Sequence, residues 1–167
     1  MGALSPSSQA LTEPGCTRGE PFAWYPQRKA PIVSQSFKRF SATRSIETVS
    51  LANGDKFTVE NTGCISYDIV LRYEFRGIAP AANDYRAWQR KGAAILRSLA
   101  RLNKVGVFDL LKAADALERI QPSNIQPQEP QPVPGDGIDF MQARVLLSHK
   151  GATKTGGFVQ IELYREL

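Results

Sequence analysis

The chain has 167 residues, of which 42% are apolar and 22% charged, with a formal net charge of +5. That length supports one domain with a real hydrophobic core. No run of about 18 apolar residues offers a membrane span, and the basic excess permits a polyanionic partner without requiring one.

Residues 1–44 hold six basic and two acidic side chains and are punctuated by Pro6, Pro14, Pro21, Pro26 and Pro31. No apolar period runs through them, so composition predicts an extended arm. The start, Met1-Gly2-Ala3, lacks the basic and apolar stretches of a secretory signal. Cys16 and Cys64 sit in segments with no evident relation, so no disulfide framework is expected and a reducing compartment is the default. A Pro-rich arm becomes ordered by lying against its own core or a neighbouring subunit. Phe22, Trp24, Tyr25, Phe37 and Phe40 are the expected anchors at a partner interface, because aromatic anchors carry much of interface energy. Phe37-Lys38-Arg39-Phe40, with Arg44 nearby, also has the ring-and-cation interleaving that grips single-stranded nucleic acid.

From residue 45 the pattern predicts a single α+β domain reaching residue 167. Ile46, Thr48 and Ser50 alternate with Glu47, Val49 and Leu51, and Asn53-Gly54 before Phe57-Thr58-Val59 signals a hairpin. The strongest strand is Cys64 to Arg76. Ile65, Tyr67, Ile69, Leu71, Tyr73 and Phe75 point to the core, and Ser66, Asp68, Val70, Arg72, Glu74 and Arg76 form the opposite, largely wet face.

Gly77 and Pro80 end that strand, and Asn83 or Asp84 is placed to cap a helix running to about Leu102. Trp88, Ile95, Leu99 and Leu102 share its apolar face, and Arg86, Arg90, Arg97, Arg101 and Lys104 form a basic face. Few acids occupy the i,i+4 positions that usually neutralise a solvated face. The basic face therefore meets solvent, an acidic protein or a phosphate backbone. A second helix is expected through Leu110, Leu111, Ala114 and Leu117, ending near Ile120.

Residues 121–137 carry five prolines and read as an extended connector inside the same domain. A final hairpin pairs Met141, Ala143, Val145 and Leu147 with Val159, Ile161 and Leu163. Its tip, His149 to Gly157, reads as a long basic loop presenting Lys150 and Lys154. The expected architecture is an antiparallel β-sheet packed against one or two helices, with an extended N-terminal arm.

Chemistry is sparse. One histidine, His149, lies next to Ser148, and adjacent strand residues face opposite sides, so the two form no nucleophile–base pair. Two distant cysteines and one histidine do not reach the ligand set of a zinc site. Gly135-Asp136-Gly137-Ile138-Asp139 lacks the oxygen ligands of a calcium loop, and no phosphate-binding lysine loop is present. No enzyme activity, cofactor or metal is expected.

The order of a long amphipathic strand, a helix opening Asp84-Tyr85-Arg86-Ala87-Trp88 and a last hairpin ending Val159-Gln160-Ile161-Glu162-Leu163-Tyr164 resembles the tail-terminator and tail-completion proteins of long-tailed bacteriophages. The resemblance spans about 100 residues and rests on element order and size. The arm, the Asn53-Gly54 hairpin and residues 121–137 depart from it. It implies a virion structural protein assembled in the host cytoplasm, a homo-oligomeric ring (hexameric in many such proteins) contacting tail-tube and connector proteins. DNA would pass through its lumen. The alternative expectation is a nucleic-acid-binding protein using the basic helix face and the aromatic, basic arm.

Overall fold

Alternating apolar residues dictate most of what the computed structural model contains, and it describes residues 20–25, 29–102, 108–119, 131–133 and 143–166. Four strands come first: β1 Ile32–Arg39, β2 Ser45–Leu51, β3 Lys56–Thr62 and β4 Ser66–Arg76. Helices α1 Tyr85–Leu102 and α2 Leu110–Arg119 follow, then the two-residue β5 Gln131–Pro132 and the hairpin β6 Ala143–Ala152 and β7 Gly156–Glu166. The sheet order is β1-β2-β3-β4-β7-β6-β5, with every neighbouring pair antiparallel. This is the expected α+β fold, an antiparallel sheet on two helices with an extended N-terminal region.

One sheet face is the core. Val49, Phe57, Val59, Ile69, Leu71, Val145, Val159, Ile161 and Leu163 all point into it and are buried. Each fully buried aliphatic side chain contributes about 2 kcal/mol of transfer free energy. α1 buries Trp88, Gly92, Ile95, Leu96 and Leu99, the i, i+4, i+7, i+8, i+11 stripe that faces a core. Asp84 begins it, its Oδ1 accepting from the Ala87 amide at 2.8 Å, and Asp109 caps α2 by accepting from Leu111 and Lys112. Both helices lie over the β4-β7-β6 half of the sheet, and Trp24 and Tyr25 cover the β2-β3 half.

The β2–β3 connection is the predicted turn. The Gly54 amide donates to the Leu51 carbonyl, and Gly54 takes φ +85°, a left-handed conformation that glycine adopts without strain. Asp55 locks it: its carboxylate accepts from Asn53 Nδ2, the Tyr73 hydroxyl and the Arg76 amide, each at 2.9 Å.

The arm boundary at residue 44 requires correction. Residues 32–39 form β1, the edge strand paired with β2 from Ile32↔Leu51 to Arg39↔Ser45. A bulge falls between Ile32 and Ser34, and only Ile32 of the strand is buried. At an edge where neither face is fully covered, no alternation is imposed on the sequence, which is why none could be read there. Within the 121–137 segment, residues 131–133 add a short outer strand to β6, with Pro132 at the sheet edge, where a missing amide costs no ladder bond. The rest of that connector, like Met141, lies outside the described residues.

Ile65 does not join the core face of β4. It sits in the turn before the strand and is exposed, and Tyr67 is only partly buried. Cys64 is disulfide-bonded, which departs from the reducing compartment expected by default. Separation along the sequence gives no information about which sulfurs a fold brings together. Cys16, the only other cysteine in the chain, lies outside the described residues.

Candidate interaction sites

Two of the five aromatic anchors face inward. The Glu47 carboxylate, on the core face of β2, accepts the Trp24 amide at 2.7 Å, the Tyr25 amide at 3.0 Å and Gln35 Nε2 at 2.9 Å. Tyr25 then packs edge-on against Phe57, which stacks on Tyr73. Trp24 and Tyr25 thus complete this chain's own core rather than reaching a neighbour. Burial raises the Tyr25 hydroxyl's pKa above its ordinary range, and Glu47 below it adds to the effect. Burial also raises the Glu47 pKa, against the three hydrogen bonds that favour its charged form.

Phe22 and Phe40 remain about half exposed and Phe37 is partly buried. Lys38 and Arg44 lie over the Phe40 ring at 4.8 and 5.3 Å, and Arg44 also pairs with Glu60. Nearby, Arg39 pairs with Glu20, tying the N-terminal segment to β1.

The basic helix face is less uniform than the sequence suggests. Arg97 spans to α2, bonding Glu118 through both terminal nitrogens and Asp115 through one. These contacts raise the Arg97 pKa and lower that of Glu118. Neutralising acids therefore exist, but on the neighbouring helix rather than at i,i+4. Arg86, Arg90 and Arg101 are exposed and form no ion pair with a described residue, and Lys104 lies outside the described residues. Replacing Arg97 by Met should lower stability by no more than about 1 kcal/mol, as exposed ion pairs do. The difference from wild type should shrink in high salt. It should also shrink as pH falls through the lowered Glu118 pKa, since protonated Glu118 no longer prefers Arg97. Urea denaturation at two salt concentrations and two pH values measures all of this.

The predicted tip of the last hairpin is also shorter than expected. Residues 149–152 and 156–157 belong to β6 and β7, so only residues 153–155 connect them. A bulge between Leu147 and His149 turns Lys150 to the core side, opposite Val159. Its ammonium donates to the Ala82 carbonyl at 2.7 Å and lies 4.3 Å from the Tyr85 ring centroid, and burial lowers its pKa. Lys150 is thus a clamp on the start of α1, and Lys154 is exposed at the tip. His149 lies in β6 beside Gln160, and Ser148 donates instead to the Gln160 carbonyl.

Two features had no sequence signal. First, three of the exposed apolar side chains lie in strand connections at opposite ends of the sheet. Strand register puts Phe40 and Ile65 at one end, in the β1–β2 and β3–β4 connections. Ile78, 96% exposed, follows β4 at the other end, beside the β6–β7 tip. Its loop is held by the Gly77 amide on the Thr155 carbonyl, the Trp88 indole on Ala81 and Lys150 on Ala82. Second, a cavity of about 430 Å³ opens between α1 and the β2–β3 turn. Neither is legible without knowing which strand ends meet.

Among the described residues no group of three or more His, Cys, Asp and Glu is placed to hold a metal ion. No described helix is long and apolar enough to cross a membrane. Comparison with family models, curated proteins and solved structures found no match.

Proposed function

We propose that this chain is a non-enzymatic virion structural protein, a ring-forming tail terminator or neck component joining a tail tube to the head–tail connector. The supporting observation is the placement of Phe40 and Ile65 at one end of the sheet and Ile78 at the other. A subunit clamped between two different neighbours needs an apolar contact at each end. The Ile78 loop suits such a contact because three hydrogen bonds hold it in advance, which reduces the ordering cost of association.

Sedimentation of the full chain over a range of concentrations tests the reading, together with a search for it in purified tails. The expected result is a closed homo-oligomer, with Ile78→Ser and Ile65→Ser each reducing its attachment to the tail. A chain that is monomeric at every concentration and absent from tails sinks the proposal.

A nucleic-acid-binding reading is favoured by Arg86, Arg90 and Arg101, which are exposed and form no ion pair with a described residue. In that case DNA affinity should fall steeply with salt, and each Arg→Ala change should reduce the salt slope by about 1. Binding insensitive to salt would exclude it.

A further inference from the structure

We propose that the cavity beside α1 binds a small amphipathic anion, an alkyl or aryl carboxylate, independently of any assembly role. The cavity lies between α1 and the β2–β3 turn, with Pro31 also on its lining. Leu51 and Phe75 contribute from the sheet, and Ile95, Leu99 and Leu102 from α1. The lining is therefore mostly apolar, as small-molecule sites are. Its volume of about 430 Å³ falls within the roughly 300–1,000 Å³ of small-molecule sites, so a ten-carbon chain with a carboxylate fits.

The polar groups on the lining decide the sign of the ligand. Asp55 accepts from Asn53, Tyr73 and Arg76, so its oxygens are largely engaged, and its single negative charge is outnumbered by two cations on the lining. The Ser98 hydroxyl is already bonded to the Ala94 carbonyl at 3.0 Å. Lys91 and Arg101 remain, and neither has an ion-pair or hydrogen-bond partner among the described residues. The Lys91 ammonium lies 4.1 Å from the Phe75 ring centroid, half-buried, with only the ring's face to offset its charge. An incoming carboxylate would give one of these cations a charge-assisted partner, since ten residues of helix, about 15 Å, separate the two. A cation would be repelled, and a neutral amphipath would leave them unpaired.

Calorimetric titration of the full chain with sodium decanoate tests this, with decanol, decylamine and sodium acetate as comparisons. The expected result is one saturable decanoate site per chain, at least tenfold tighter than for decanol, with no binding of decylamine or acetate. A Lys91→Met, Arg101→Met double variant should weaken decanoate at least tenfold and leave decanol unchanged. Ser98→Trp, at an exposed helical position on the cavity's rim, should abolish binding with its far-ultraviolet circular dichroism intact. Absence of saturable decanoate binding, equal affinity for decylamine, or a double variant that binds like wild type would each overturn the proposal.

Discussion

Glu47→Ala should be among the most damaging single substitutions in this chain, costing about 3–5 kcal/mol. The alanine leaves the Trp24 and Tyr25 amides without their acceptor, at residues that are themselves buried. Each buried orphaned donor costs about 1–3 kcal/mol, and the lost side chain adds a void. Against a typical total of about 5–15 kcal/mol, that is a large fraction. The damage should also be local in origin. With Trp88 replaced by Phe so that Trp24 alone reports, Glu47→Ala should red-shift the native fluorescence as the 20–25 segment leaves the core. An unshifted spectrum and an unchanged denaturation midpoint would mean that apolar packing alone holds the segment.

The same carboxylate carries a pH signature. Burial raises its folded-state pKa above the ordinary 4.5, so between those two values the folded state binds more protons than the unfolded state. Stability from this group is therefore highest below the ordinary value, declines as pH rises through the window, and is flat above it. Glu118 behaves oppositely, because its pKa is lowered by Arg97. The useful quantity is therefore the stability of wild type minus that of Glu47→Gln at each pH. That difference should fall with rising pH and then level off, and a difference that rises would show that the three hydrogen bonds outweigh burial.

What was legible in the sequence follows from how strongly each element is constrained by burial. β4, β6, β7 and the core stripe of α1 each set a buried face against a wetter one, so their periods survive in the residues. Asn53-Gly54 announced its turn for a similar reason, since few residue pairs accept that backbone. β1 was illegible because an edge strand with one buried residue imposes no period. The inward direction of Trp24 and Tyr25 was equally hidden, because the deciding partner is a glutamate 22 and 23 residues away. A glutamate sharing a face with Val49 and Leu51 on a predicted strand was the one available hint. Arg97 seemed unpaired because an i,i+4 rule sees only its own helix. The cavity and the two apolar ends arise from elements meeting in space, which local pattern does not encode.

Gly156→Ala should be the other severe change, and its cause is room rather than backbone conformation. Gly156 opens β7 opposite Arg76, where a Cβ would stand 1.9 Å from the Phe75 carbonyl oxygen and 2.8 Å from the Arg76 Cα. Those are backbone atoms of the central strand β4, so no side-chain rotation relieves the clash. The two strands must separate by more than 1 Å at the start of their pairing, near contact distances of about 3.3–3.6 Å. A cost of about 3 kcal/mol is expected, the upper end for overpacking, which lowers the melting temperature of a chain this size by about 10 °C. Gly77 supplies the comparison. It has φ +103° but nothing within 4 Å of a built Cβ, so Gly77→Ala incurs only the conformational penalty of about 1–2 kcal/mol. Because the Gly77 amide bonds the Thr155 carbonyl, both sites border the hairpin tip, and the Ile78 loop depends on both. Thermal unfolding should therefore rank Gly156→Ala well below Gly77→Ala. The reverse order would show that left-handed backbone, rather than the close approach of β4 and β7, fixes this end of the sheet.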